Sequence, residues 1–177
     1  ASQFETAMQT KGITLRVESP KEVIAEFDEE KCQRIVMNLV SNAFKFVPAG
    51  GWVKCSIEAQ NGNAIITVSD NGPGVKDDLK EAIFERFRQG ETGVSRSFGG
   101  TGLGLAIVKD FAELHRGSVR VSDTSGGGAT FTVTIPLKAP TGALFLSEPA
   151  KTADDFLKPK KPIDVERASS INTDEVI

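Results

Sequence analysis

Residues 38–46 read Asn-Leu-Val-Ser-Asn-Ala-Phe-Lys-Phe, and this stretch decides which fold we expect. Placed on a helix at 100° per residue, Asn38, Asn42 and Lys45 fall within roughly 60° of one another. A neighbouring arc of about 140° is apolar; it holds Cys32, Ile35, Val36, Leu39, Val40, Ala43, Phe46 and Val47. Asparagine is a poor mid-helix residue because its side chain competes for backbone hydrogen bonds. The pattern therefore favours a ligand-facing flank beside a core flank over the alternative of a solvated polar face.

The same pattern predicts where this helix begins and ends, and which strands surround it. Asp28 is a plausible N-cap, and the helix should stop near Phe46, before Pro48. Residues 13–17 and 23–27 are predicted strands around a turn at Pro20. Residues 52–59 and 64–68 form a predicted hairpin across Asn-Gly at 61–62.

Two glycine-containing stretches lie after the hairpin, and each is weak when taken alone. Residues 70–74 read Asp-Asn-Gly-Pro-Gly, which is either an ordinary turn or a loop whose glycines let a ligand approach closely. Residues 99–105 read Gly-Gly-Thr-Gly-Leu-Gly-Leu and precede a predicted helix over about 101–114. Free N–H groups at such a helix N-terminus favour an anion. No Gly-Lys-Ser/Thr follows and no strand leads in, so neither a Walker A loop nor a dinucleotide fingerprint is indicated.

A third glycine stretch, residues 126–131, reads Gly-Gly-Gly-Ala-Thr-Phe and joins predicted strands at 118–122 and 129–136. In this order and spacing, the four stretches resemble the N, G1, G2 and G3 boxes of the catalytic ATP-binding domain of sensor histidine kinases. That domain belongs to the gyrase/Hsp90/histidine kinase/MutL superfamily. The resemblance extends over about residues 13–138.

The resemblance implies both a fold and an activity. The fold is an α+β two-layer sandwich of the Bergerat type, in which helices cover one face of a mixed, mostly antiparallel sheet. The activity is that of a protein-histidine kinase: the domain binds ATP with Mg²⁺ and passes the γ-phosphoryl group to a histidine on a separate dimerisation domain. Positioning and charge neutralisation carry the rate in such transfers.

The resemblance also assigns roles to single residues. It implies that Asn42 coordinates Mg²⁺, that Lys45 faces phosphate oxygens, and that Asn38 serves the metal's water shell or the phosphates. Asp70 accepts a hydrogen bond from the adenine amino group, which disfavours guanine, and Thr130 supports Asp70 through a water. The other nucleotide-binding positions are Gly72, Gly74, Gly100, Thr101, Gly102, Leu103, Gly104 and Leu105.

Residues 83–89, Ile-Phe-Glu-Arg-Phe-Arg-Gln, resemble the F box of the same family, which lies in a lid over ATP. The alternative is a small amphipathic helix packed on the core, and one short helical stretch is predicted near 79–87. We expect residues 75–99 to form a lid that is mobile without nucleotide, because so long a connection is usually functional or mobile. Arg86, Gln89 and Arg96 are candidates to reach phosphates.

The only histidine of the chain is His115, and Arg-Gly follows it. The family's phospho-acceptor histidine precedes Glu and then Arg or Pro, on a helix upstream of the ATP domain. We therefore expect His115 to serve the end of a helix and the acceptor histidine to lie outside these residues.

Composition limits the other possibilities. The 177 residues carry a net charge of -3, which gives no electrostatic case for nucleic acid. Cys32 and Cys55 do not make a disulfide scaffold or a metal-ligand spacing, and are expected to be reduced in a cytoplasmic domain. No apolar run approaches the roughly 18 residues of a membrane span, although a membrane anchor elsewhere in a full-length protein stays open.

We expect the chain to be a piece of a longer protein, because it begins Ala-Ser-Gln. Residues 1–12 are predicted to end a preceding dimerisation-domain helix, and residues 13–138 to form the ATP-binding domain. Residues 139–177 are predicted to be a linker or tail toward a possible further domain, because they are rich in Lys, Pro, Ala, Ser and Asp. By resemblance, the full-length protein is a homodimer in a two-component phosphorelay and signals to a response-regulator receiver domain.

Two other functions remain open from the sequence. One is a serine kinase of the anti-sigma type or an ATPase clamp, although the clamp enzymes have a water-activating Glu where Asn38 stands. The other is a regulatory module that binds nucleotide without transferring phosphate.

Overall fold

The computed structural model describes residues 11–19, 23–87, 102–139 and 141–143. Within these ranges, five strands form one sheet: β1 (Thr14–Glu18), β2 (Trp52–Gln60), β3 (Asn63–Asp70), β4 (Ser118–Asp123) and β5 (Ala129–Pro136). Their spatial order is β1-β2-β3-β5-β4. β1 pairs with β2 in parallel, and the other three pairs are antiparallel. The predicted mixed, mostly antiparallel sheet is confirmed.

The β2–β3 hairpin turns at Asn61 and Gly62, whose φ angles are 51° and 76°. Two positive φ values in succession are the reason that Asn-Gly is favoured in such turns. The register that this turn sets places Val53 opposite Asp70. Alternate residues of β3 are buried, so that Asp70 lies on the core face of the sheet.

The first helix, α1 (Glu29–Phe46), covers this core face. Asp28 caps it by accepting the N–H of Lys31 at 3.0 Å, as the sequence predicts. The helix ends at Phe46 because Pro48 follows, and the last N–H bond runs from Val47 to Ala43. Its buried residues are Cys32, Ile35, Leu39, Val40, Ala43 and Phe44. Full burial of each large aliphatic side chain contributes about 1.5–3 kcal/mol.

The second helix, α2 (Gly104–Leu114), lies antiparallel to α1. Its beginning contacts Asn38 in the second half of α1, and its end contacts Asp28 before the first turn of α1. His115 makes the latter contact: its Nε2 accepts the backbone N–H of Asp28 at 3.1 Å, and its Nδ1 lies 2.7 Å from the carbonyl oxygen of Phe111. Both ring nitrogens are thus engaged by the backbone, which confirms a structural place for His115 at the helix end.

Both cysteines are free thiols, Cys32 in α1 and Cys55 in β2. Burial raises the pKa of the Cys32 thiol to about 12 and also raises the pKa of Cys55. The raised pKa values favour the protonated thiol at neutral pH, and the two cysteines therefore lack the lowered pKa that is typical of a nucleophilic thiolate.

Three local predictions differ from the structure. Residues 23–27 are not a strand: in the described residues, the backbone N–H of Glu26 donates to Leu137 but no ladder follows. The stretch near 79–87 contains two short 3₁₀ turns, Asp77–Leu79 and Ala82–Phe84, in place of one helix. The second helix was expected to start near 101, but residues 102 and 103 are not helical and α2 begins at Gly104.

The predictions for residues 1–10 and for most of the tail, 144–177, also lie outside the described residues. In the part of the chain that the structure covers, no helix is both long and apolar enough to cross a bilayer.

Candidate nucleotide-binding site

The polar flank of α1 forms one wall of the site. Asn38, Asn42 and Lys45 are all half-buried, whereas their apolar neighbours Leu39 and Ala43 are buried. The Lys45 ammonium lies 5.1 Å from the ring centroid of Phe46, a cation–π distance that holds the charge near the helix end. The predicted arrangement, with a core flank beside a polar flank, is therefore present.

The amide of Asn38 brings α1 and α2 together. Its Oδ1 would lie 3.5 Å from a Cβ added to Gly104, the first residue of α2. Its Nδ2 is buried and has no hydrogen-bond partner among the described residues. A buried donor without a partner costs about 1–3 kcal/mol, so this group needs an acceptor. An oxygen of a phosphate or of a metal-bound water satisfies an N–H donor, whereas a bare cation does not.

Asp70 forms the opposite wall at the end of β3, and its side chain is buried. Its Oδ1 accepts two backbone N–H groups, from Gly72 at 2.8 Å and from Ala129 at 3.2 Å. Burial raises the pKa of this carboxyl, and the two backbone hydrogen bonds oppose that rise. Because both bonds converge on Oδ1, Oδ2 is the oxygen that can accept from a ligand.

The backbone around Asp70 is packed too closely for side chains. A Cβ on Gly72 would lie 3.3 Å from the carbonyl oxygen of Phe46, at the end of α1. A Cβ on Gly128 would lie 1.9 Å from the carbonyl oxygen of Asp70. A Cβ on Gly74 would lie 3.1 Å from the carbonyl oxygen of Gly128. The glycines of two separated stretches, residues 70–74 and 126–131, thus approach each other closely beside Asp70, and the first stretch also approaches the end of α1.

The start of α2 has the backbone geometry that a bound anion would need. Gly102 has a φ of 68°, and Leu103 caps the helix without a side-chain hydrogen bond. The first-turn N–H groups of this eleven-residue helix carry the positive end of its dipole. Leu105 packs against the core and fixes the loop. Gly100 and Thr101, also predicted to bind nucleotide, lie outside the described residues.

The prediction that Thr130 supports Asp70 does not agree with the structure. Its hydroxyl bonds Ser69 at 3.0 Å and Thr124 at 2.9 Å. Thr130 pairs with Ser69, and neighbouring residues of a strand face opposite sides of the sheet, so Thr130 points away from Asp70. The preceding residue, Ala129, contacts Asp70 through its backbone N–H. A one-residue shift on a strand reverses the face, which motif spacing alone did not resolve.

Residues 75–87, the first part of the expected lid, are docked on the core. Phe84 is buried and packs edge-on against Phe131, with 6.3 Å between ring centroids. Arg86, one of the candidates to reach phosphate, forms an ion pair at 2.9 Å with Asp110 on α2. The N–H of Phe87 donates to the carbonyl of Gly102 at 3.1 Å. Gln89 and Arg96 lie outside the described residues, and the lid prediction for residues 88–99 stays a prediction.

This docking predicts slow amide exchange in residues 79–87 even without nucleotide. The N–H groups of Leu79, Glu85 and Phe87 are hydrogen-bonded, and local opening must break those bonds. If opening costs about 1–2 kcal/mol, exchange should be roughly 5–30 times slower than in a free chain. Hydrogen-exchange mass spectrometry of the nucleotide-free protein measures this. Exchange at free-chain rates throughout 79–87 would show that this segment belongs to a mobile lid.

Sequence reasoning gave no role to three residues that shape the site: Asn71, Gly128 and Asp110. Gly128 had a detectable signal, because a run of three glycines before a strand indicates a close backbone approach. The ion-pair role of Asp110 depends on how α2 packs beside the 3₁₀ turns, which local pattern does not reveal.

Comparison with known proteins agrees with this geometry. Residues 27–139 match the family described as histidine kinase-, DNA gyrase B- and HSP90-like ATPases. The sensor histidine kinase TmoS of Ectopseudomonas mendocina is 49% identical over 156 residues, 88% of this chain and 16% of TmoS. Hybrid signal transduction histidine kinase D of Dictyostelium discoideum is 48% identical over 143 residues, 77% of this chain and 9% of that protein. The chain therefore spans less than a fifth of the length of these two relatives.

Solved structures show the same fold. A nucleotide-free catalytic domain of the histidine kinase ThkA superposes with a TM-score of 0.67 at 28% identity, over 76% of this chain and 86% of that one. Full-length ShkA in complex with AMPPNP superposes with a TM-score of 0.65 at 31% identity, over 76% of this chain and 28% of that one. The chain belongs to the family of histidine kinase-, DNA gyrase B- and HSP90-like ATPases, and within it to the catalytic ATP-binding domains of sensor histidine kinases.

Proposed function

We propose that this chain binds ATP with Mg²⁺ and passes the γ-phosphoryl group to a histidine on a separate dimerisation domain. The observation that carries the proposal is the pairing of two complementary groups across one end of the fold. Asp70 offers a buried acceptor, and Asn38 offers a buried donor beside the start of α2 that has no partner in the described part of the chain. An adenine amino group and a phosphate region are ligands that satisfy both.

In this proposal each wall has one task. Asp70 selects adenine by accepting its amino hydrogen at Oδ2. Asn42 supplies an amide oxygen to Mg²⁺, an ion that takes few protein ligands and keeps several waters. Lys45, Asn38 and the N-terminus of α2 hold the phosphates, and residues 100–105 supply the remaining nucleotide contacts. When bound, Mg²⁺ neutralises charge on the phosphates during transfer.

The acceptor histidine must come from elsewhere. Both ring nitrogens of His115 are engaged, one by Asp28 and one by Phe111, so that neither is available as a nucleophile without breaking the contact between α1 and α2. A kinase domain that positions ATP but carries no acceptor needs a second domain.

Several further features of the full-length protein belong to the same proposal. In this proposal, residues 1–12 end a dimerisation-domain helix, residues 13–138 form the ATP-binding domain, and residues 139–177 are a linker or tail toward a possible further domain. The full-length protein works as a homodimer, with or without a membrane anchor, whose ATP-binding domain lies in the cytoplasm and whose partner is a response-regulator receiver domain. The names of the relatives support this, because one is a sensor histidine kinase and another a hybrid signal transduction histidine kinase.

Asn42→Ala tests the metal and phosphate assignment. The melting temperature of the empty protein should stay nearly unchanged, because alanine is the better helix former at this half-buried position. The Mg²⁺-dependent rise in melting temperature on adding ATP should largely disappear, because a ligand stabilises only in proportion to its binding. Thermal scans with ATP, with and without Mg²⁺, measure both quantities.

Ser41→Ala is the matched control, an exposed neighbour on the same helix that should keep the full Mg²⁺-dependent rise. A large loss of stability in the empty Asn42→Ala protein would instead assign Asn42 to the fold.

A further inference from the structure

Asn71, the residue after Asp70, connects the nucleotide loop to the start of β2. Its Oδ1 accepts the backbone N–H of Trp52, the first residue of that strand, at 2.7 Å. Trp52 follows directly on a turn, residues 48–51, which leads out of α1. The Asn71 side chain therefore crosses from the loop that carries Asp70 to the turn that follows the metal- and phosphate-facing helix.

The turn is pressed tightly against Asn71. A Cβ at Gly51 would lie 2.7 Å from Asn71 Oδ1 and 2.5 Å from Val47 Cγ1. Since real Cβ atoms do not approach this closely, Asn71 and the end of α1 clamp the turn from two sides. A displacement of the turn must therefore move one of them.

The other side of the same turn holds the segment that leads into β1. The N–H of Thr14 donates to the carbonyl of Gly51 at 3.0 Å, and the N–H of Gly50 donates to the carbonyl of Lys11 at 2.9 Å. The Lys11 ammonium lies 3.5 Å from the carbonyl oxygen of Phe44 in α1. Residues 11–14 are thus bonded to the turn, the residue that follows the turn, Trp52, is bonded to Asn71, and Asn71 is one peptide bond from Asp70.

We propose that Asn71 is a positioning residue that couples the location of residues 11–14 to that of Asp70. It acts through Asp70 and does not itself touch the reacting groups. The proposal rests on the proposed function in one respect, which is that Asp70 binds the adenine. A displacement of residues 11–14 should then shift the adenine contact at Asp70 through two hydrogen-bonded steps. Nucleotide binding at Asp70 should in turn shift residues 11–14 by the same route.

The first test needs no nucleotide. In Asn71→Ala, the amides of Thr14 and Gly50 should exchange about 5 to 10 times faster than in the unchanged chain, because the turn loses one of its two clamps. In Asn71→Asp, a carboxylate oxygen can still accept from Trp52, and slow exchange should be retained. Asn63→Ala is the control, since the Asn63 side chain donates to the carbonyl oxygen of Asn61 in the hairpin turn, at the opposite end of β3 from Asn71. Unchanged exchange at Thr14 and Gly50 in Asn71→Ala would overturn the proposal.

The second test uses the fluorescence of Trp52, the only tryptophan in a chain without tyrosine. Saturating ADP should change the Trp52 emission of the unchanged chain. In Asn71→Ala the change at saturation should fall to less than about half, and in Asn71→Asp it should persist. Using the amplitude at saturation separates coupling from affinity, which calorimetry measures in parallel.

An equal fluorescence change in Asn71→Ala at saturation would overturn the proposal. Failure of the unchanged chain to bind ADP in the calorimeter would contradict the proposed nucleotide site instead, and the exchange at Thr14 and Gly50 would still decide whether Asn71 couples the two segments.

Discussion

Asp70→Asn is expected to weaken ATP and ADP binding by about 1.5–3 kcal/mol, or roughly 10- to 150-fold. The asparagine oxygen can replace Oδ1 and keep the N–H bonds from Gly72 and Ala129. Its NH₂ group then stands where Oδ2 stood, and a donor faces the adenine amino donor. The substitution reverses one hydrogen bond and leaves the surrounding backbone intact. Titration calorimetry with ATP, ADP and GTP measures the change.

The same substitution should not destabilise the empty protein. Because burial raises the pKa of Asp70 above its ordinary value of 3.8, its ionised form at neutral pH disfavours the folded state, and a neutral asparagine removes that penalty. Asp78→Asn, an exposed acid, is the control and should keep full affinity. If the unchanged protein bound GTP as tightly as ATP, the adenine assignment of Asp70 would be wrong.

The raised pKa of Asp70 also predicts the direction in which nucleotide affinity changes with pH. The ionised carboxylate is the form that accepts from adenine, so affinity should fall as the pH is lowered through the pKa of folded Asp70. This fall should begin at a higher pH than for an ordinary aspartate with a pKa of 3.8. In Asp70→Asn this component of the pH dependence should be absent.

Gly128→Ala is expected to cost about 3 kcal/mol or more of folding stability. Gly128 has a φ of 111°, which alanine adopts only with strain, and the added Cβ would meet the carbonyl oxygen of Asp70 at 1.9 Å. Relief of that contact must move either β5 or the Asp70 loop. Thermal or urea unfolding measures the loss, and nucleotide affinity should fall with it.

Gly126→Ala separates strain from steric contact. Gly126 also has a positive φ, 87°, but a Cβ there would meet nothing within 4 Å. Gly126→Ala should lower the free energy of unfolding only by the cost of holding alanine at a positive φ, about 1–2 kcal/mol. Equal losses of folding stability in Gly128→Ala and Gly126→Ala would show that the close approach of Gly128 to Asp70 does not add to the cost of the substitution.

Much of the site could be predicted because its parts are local. The period of α1 separates Asn38, Asn42 and Lys45 from the core, and glycine runs indicate where backbones approach closely. These features depend on side-chain direction within one element, which spacing determines. The N-cap at Asp28 and the turn at Asn61 are predictable for the same reason.

The errors fall where two elements meet. Thr130 was assigned to Asp70, but the pairing of β3 with β5 places Thr130 on the other face and gives the contact to Ala129. Arg86 was a candidate to reach phosphate, but the 3₁₀ turns pack so that it reaches Asp110. Residues 23–27 have a strand-like composition, yet among the described residues they do not pair with an edge strand of the sheet. Strand register and packing between elements are not contained in the local pattern.

The central claim is that this chain binds ATP and transfers its phosphoryl group to a histidine on another domain. Incubation with γ-labelled ATP, alone and with the dimerisation domain of the full-length protein, tests it most directly. The chain alone should give no acid-labile phosphoprotein, and the mixture should label the histidine of the added domain. His115→Ala should change that labelling little, and the rate should be modest because two separate pieces must first meet. Acid-labile phosphate on His115 of the chain alone would contradict the account.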